Sequence, residues 1–150
     1  MVDVRTKGAT AESKIRDELR KATGLKWERT PGSGALDPKH GLKADLYVPG
    51  EYNYYAIECK HYKDSHINHL LINGKNPQLI EWIAQTFRQA NQVNKKPLLV
   101  FKHDRSILYC AFTDLPESGY PFIFVNKNGY EFYVSSLSDY IEFNKPIFIK

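Results

Sequence analysis

The sequence predicts an α/β protein, a mixed central β-sheet flanked by helices. Three observations carry this. Apolar residues recur at three- and four-residue spacing in two stretches, 10–23 and 76–93, which is the helical period. Short apolar or alternating runs bounded by Gly, Pro, Asn and Asp lie between and after them, which is the strand pattern. The order is helix, hairpin, helix, strands, and such an order places helices on the faces of a sheet.

Thr10 is suited to cap the first helix. Ala11, Ile15, Leu19 and Ala22 form its apolar stripe, and Gly24 stops it. A strand over 25–29 follows. TPGSGALDPKHG (30–41) is too rich in Pro, Gly, Ser and Asp to be anything but a loop. Residues 44–48 and 54–59 read as two strands of a hairpin, with PGEYN (49–53) as the turn. Asn76 caps and Pro77 opens a second helix. Its stripe is Leu79, Ile80, Ile83, Phe87 and Ala90, and it ends near Val93. Residues 97–101 and 107–112 read as buried strands. Residues 122–125 and 130–134 flank NKNG, a second hairpin signal.

Composition excludes several classes. The chain has 150 residues, 42% hydrophobic, 13% aromatic and 25% charged, which is too apolar for a disordered chain. No run of about 18 apolar residues exists, so no transmembrane helix is expected. MVDVRTKGAT lacks an apolar h-region, so a secretory signal is not expected either. Two cysteines, Cys59 and Cys110, are too few for a disulfide scaffold or a four-cysteine zinc site. Reduced thiols and a cytoplasmic location are the simple expectation. GSG (32–34) is not followed by GK[ST], so no nucleotide-phosphate loop is expected. His40, His61, His66 and His69 lack the companions of a zinc site.

The net charge is +4, and its distribution is uneven. Residues 1–30 carry eight basic and five acidic side chains, residues 88–105 five and one, and residues 111–150 three and five. The basic surplus in the first two-thirds suits a polyanionic partner.

The residues that carry chemistry are Asp45 and Glu58-Cys59-Lys60. If the hairpin strands pair symmetrically, Asp45 stands opposite Glu58. Opposed side chains share a face with Cβ atoms about 5 Å apart. Two carboxylates that close repel unless a proton or a cation lies between them. A hard divalent cation such as Mg²⁺, with Mn²⁺ as a substitute, is the natural guest. Lys60 shares the face of Glu58, while Cys59 points into the core and offers only its backbone carbonyl as a ligand. A plain cross-strand ion pair is the alternative. A one-residue slip would separate the two carboxylates onto opposite faces.

KGATAES (7–13), RTPGSG (29–34), KADLYV (43–48), AIECK (56–60) and KKPLLVFK (95–102) occur in this order over the first hundred residues. In these stretches the chain resembles the PD-(D/E)xK nucleases, and within them the archaeal-type Holliday junction resolvases. The resemblance implies a restriction-endonuclease-like fold and a single nuclease domain over 1–150. It implies a Mg²⁺-dependent, homodimeric endonuclease that cuts four-way DNA junctions, in the host cytoplasm if a phage encodes it. It makes Glu12, Asp45, Glu58 and Lys60 the catalytic set, with Asp45, Glu58 and the Cys59 carbonyl as metal ligands and Glu12 as a further one. It makes Ser33 a DNA contact, beside the basic residues Arg5, Lys7, Arg29, Lys39, Lys43 and Lys63. Gln85 falls where such nucleases often place a polar residue. Members commonly carry Arg after the helix glutamate, and here that residue is Ser13. Another nuclease of the superfamily, or a DNA-binding module without catalysis, remains an alternative.

Overall fold

The computed structural model describes residues 4–31, 44–62, 78–103 and 107–150, with side chains except those of 4–10, 62 and 103. The elements are α1 (Val4–Thr23), β1 (Glu28–Arg29), β2 (Leu46–Tyr47), β3 (Tyr55–Tyr62), α2 (Gln78–Gln92), β4 (Lys96–His103), β5 (Leu108–Phe112), β6 (Ile123–Lys127), β7 (Tyr130–Ser136) and α3 (Leu137–Asp139). A π-helical turn, Tyr140–Asn144, continues α3.

The seven strands form one mixed sheet in the order β1-β2-β3-β4-β5-β7-β6. β3 and β4 are parallel, and the remaining neighbours are antiparallel. Parallel strands need a crossover, and α2 lies within it. The helices cover opposite faces. Ile15 and Leu19 of α1 pack with Ile57, Cys59, Leu98, Val100, Cys110 and Phe112, together with Trp27, Tyr140 and Phe148. Leu79, Ile80, Trp82 and Ile83 of α2 pack with Leu99, Phe101, Ala111, Phe132 and Val134. Alternate residues of β3 and β4 therefore face different helices, as the two-residue period requires.

The expected fold class holds, and the boundaries shift. α1 begins at Val4, six residues before the expected cap, so Thr10 lies inside the helix. The strands expected over 25–29 and 44–48 shrink to two residues each. Pro31 cannot donate to a ladder, and Ala44 has φ 78°, outside the strand region. β3 runs three residues beyond Cys59, so Lys60 lies within the strand rather than at its end. The turn between β6 and β7 is two residues, Asn128 and Gly129, with φ 54° and 81°. Both are left-handed, which fits the twist of the flanking strands. Asn76 and Pro77 lie outside the described residues.

The turn before β3 is closed by one side chain. Asn53 is buried; its Oδ1 accepts from the Val48 N–H at 2.7 Å, and its Nδ2 donates to the Val48 carbonyl at 2.9 Å. The amide thus replaces a strand partner for Val48 and sets how β2 meets β3.

Candidate active site

The β2–β3 pairing tests the expected register. Leu46 pairs with Ile57. In that register the next residues along are Asp45 and Glu58. The backbone departs from a plain ladder there. The Asp45 N–H donates to the Ile57 carbonyl at 2.8 Å. The Cys59 N–H is taken by the Asp45 side chain, with Oδ2 accepting at 2.8 Å. The Asp45 carbonyl accepts from the Thr30 N–H at 2.8 Å. Three hydrogen bonds hold this residue between β1 and β3. The left-handed Ala44 before it is fully buried against Ala56 and Ala90, so the turn into Asp45 is locked by packing.

Asp45 is 7% exposed and Glu58 is 2% exposed, and their carboxyl groups hydrogen-bond to each other. Burial pushes the Glu58 carboxyl up to about 9, and the Asp45 charge beside it adds to the shift. Burial likewise raises Asp45 to about 6, against the pull of the Cys59 N–H. Two carboxylates in contact inside a protein cannot both ionise unaided. The pair therefore shares a proton near neutrality.

Lys60 and Glu12 complete the field. Lys60 favours ionisation of both carboxyls, and Glu12 opposes it. The charges at positions 12 and 60 are thus felt at both carboxyls. Glu12 is not free to act alone. Its Oε2 accepts from Arg29 Nε at 2.9 Å. Arg29, read from the sequence as a DNA contact, spends part of its guanidinium on this pair. The Cys59 side chain packs in the α1-side core, as the period of two predicts, and burial pushes its thiol well up.

The donor set can be tested against a divalent cation. Among the described residues, no group of three or more His, Cys, Asp or Glu side chains forms a metal cluster. Zinc sites take three or four such ligands, and the pair supplies two. Mg²⁺ is held by one or two carboxylates and keeps several waters. Two buried, mutually repelling carboxyls fit that requirement.

Arg5 and Lys7 fall on α1, at positions whose side chains are not described. Ser33, Lys39, Lys43 and Lys63 lie outside the described residues, as do His40, His66 and His69. Gln85 is half-buried on α2. Thr30 was not singled out in the sequence. It is 5% exposed, and its hydroxyl Oγ1 is buried without a hydrogen-bond partner. The signal was its place in RTPGSG, directly before the proline.

The chain matches the protein family described as "Phage putative PDDEXK endonuclease" over residues 3–145. It is 48% identical over 107 residues to Protein D14 of Escherichia phage T5, covering 69% of this chain and 67% of D14. It is also similar to Archaeoglobus fulgidus Hjc, a Holliday junction resolvase from an archaeal hyperthermophile. That likeness has a TM-score of 0.43 and 18% identity, and it covers 91% of this chain and 89% of Hjc. With the family match spanning nearly the whole sequence, the chain belongs to the phage PDDEXK endonucleases.

Proposed function

We infer that this nuclease is a divalent-cation-dependent endonuclease that resolves four-way DNA junctions, with Mg²⁺ as its metal and Mn²⁺ as a substitute. The observation that carries the catalytic reading is the buried, proton-sharing Asp45–Glu58 pair with Lys60 beside it. Such a pair is costly to bury. It makes sense where a cation replaces the proton. Asp45, Glu58 and the Cys59 carbonyl would hold the ion. When bound, the ion supplies Lewis acidity to the scissile phosphate and acidifies water.

The protein's own groups do the rest. The Cys59 N–H fixes the Asp45 carboxylate by a 2.8 Å hydrogen bond, so one oxygen is oriented before any ligand arrives. Glu58 would hold the ion as the carboxylate, its proton released to solvent. Lys60 shares its face on β3 and adds positive charge where the phosphorane develops negative charge. Glu12 belongs to the same set as a positioning residue through its bond to Arg29. Ser33 and the basic residues Arg5, Lys7, Lys39, Lys43 and Lys63 would contact DNA phosphates, which makes binding salt-dependent. Arg29 would do so with the guanidinium nitrogens that Glu12 leaves over.

The junction preference rests on the ordered motifs, RTPGSG before the aspartate and KKPLLVFK after α2. Two symmetric cuts require two sites, which a two-fold homodimer provides. The test is cleavage of a labelled four-way junction and of a linear duplex built from one arm, each with Mg²⁺ and with EDTA. Paired, symmetric, Mg²⁺-dependent nicks in the junction alone are expected, and the Glu58→Ala protein should leave the junction intact. Equal cutting of the duplex would refute junction specificity. Undiminished cutting by Glu58→Ala would refute the catalytic assignment.

A further inference from the structure

The strand pairing defines one row of residues across the whole sheet. Glu28 pairs with Tyr47 and Arg29 with Leu46, which continues to Thr30 opposite Asp45. Leu46 with Ile57 continues to Asp45 opposite Glu58. Glu58 pairs with Leu99, Leu99 with Ala111, Ala111 with Val134, and Val134 with Ile123. The row therefore reads Thr30, Asp45, Glu58, Leu99, Ala111, Val134, Ile123. Its first three members are polar and buried, and the last four are apolar.

Thr30 is the outlier among the three. Asp45 and Glu58 satisfy each other, but the Thr30 hydroxyl is sealed from solvent with no partner. A buried hydroxyl left unpaired is destabilising and is rare in native proteins. The adjoining backbone is not loose, because the Thr30 N–H holds the Asp45 carbonyl at 2.8 Å. Among the described residues, the sheet row sets this hydroxyl on the face of the acid pair, beside Asp45.

We propose that Thr30 is a positioning residue of the acidic site, its hydroxyl hydrogen-bonding to the carboxylate–cation assembly once a divalent cation is loaded. This rests on the reading of Asp45 and Glu58 as the cation site. The unpaired hydroxyl destabilises the empty protein and is satisfied in the loaded one. Residues that orient a metal's carboxylate ligands typically contribute 10- to 100-fold in metal affinity.

The test compares the parent with Thr30→Val, which keeps the shape and removes the hydroxyl, and with Thr30→Ser, which keeps the hydroxyl. Melting temperature is measured in EDTA, and Mn²⁺ alone is titrated calorimetrically into each full-length protein. Thr30→Val is expected to melt at least about 2 °C higher in EDTA, because an orphaned polar group is gone. It is also expected to bind Mn²⁺ about tenfold more weakly. Thr30→Ser should stay within about threefold of the parent's affinity, the small allowance being for its freer side chain. A purely structural threonine would not move the Mn²⁺ affinity. Parent-like binding by Thr30→Val, or a lower melting temperature in EDTA, overturns the proposal. If the parent itself takes up no Mn²⁺, the acid pair is not a cation site and both readings fall together.

Discussion

Replacing Glu58 by Gln should make the protein more stable at alkaline pH in EDTA while removing its nuclease activity. Both carboxyls have folded-state values above their ordinary ones, about 9 for Glu58 and about 6 for Asp45, chiefly through burial. A group raised on folding stabilises the fold below its ordinary value, and that stability is lost as pH rises toward the folded value. Between pH 5.5 and 8.5 the folded chain holds about one proton that the unfolded chain has released. One proton corresponds to about 1.4 kcal/mol per pH unit. Over three units the loss is about 4 kcal/mol, a large part of the stability of an ordinary domain. For a chain of this size that lowers the melting temperature by roughly 10 °C.

Gln at position 58 can still hydrogen-bond to Asp45 but takes up no proton. The assay is melting temperature against pH in EDTA for the parent and Glu58→Gln. The parent curve should fall between pH 5.5 and 8.5, and the variant curve should lie flatter and higher at the alkaline end. Mg²⁺ at about a hundred times its dissociation constant restores roughly 2.7 kcal/mol to the parent at pH 8.5 by mass action. The variant should respond much less. Parallel curves for the two proteins would refute the shared proton, and with it the argument for a cation between the carboxyls.

Other outcomes follow from single contacts. Lys60→Met should lower junction cleavage about 100-fold or more, with a melting temperature near the parent's, because the side chain is only half-buried; near-parental turnover would remove it from the mechanism. Asp114→Ala should destabilise by about 2–4 kcal/mol, because Tyr55 and Tyr140 both donate to Asp114 Oδ2 at 2.7 Å and would lose that acceptor; a denaturant midpoint within error of the parent would contradict this. Burial holds those two phenols above the ordinary tyrosine range, so they should stay protonated in a spectrophotometric titration to pH 11 while the fold persists. Asn53→Ala removes both hydrogen bonds to Val48 and should cost about 2 kcal/mol, read as a shifted urea midpoint.

The period of two along β3, the helical stripes of α1 and α2, and the turn residues at 49–53 and 128–129 were all legible in the sequence. Each is a local rule, set by backbone geometry and by the preference of apolar side chains for one face. They put Lys60 on the face of Glu58 through the strand period, and put Asp45 there too on the condition that the two strands pair symmetrically about the turn. The extent of α1 was not legible, since 4–9 shows no apolar stripe of its own and a capping residue is only a local preference that a longer helix overrides.

Tertiary structure alone decided the rest. The shared proton depends on how deeply the sheet buries two carboxyls, and burial is a property of packing from α2 and β4. The Glu12–Arg29 bond joins residues 17 apart, and the Thr30 row runs across the whole sheet, from β1 to β6. No local rule states which polar group will be left without a partner once the layers close. That is fixed by which other chain segments arrive beside it, and the Thr30 hydroxyl beside the acid pair is where this sheet leaves one.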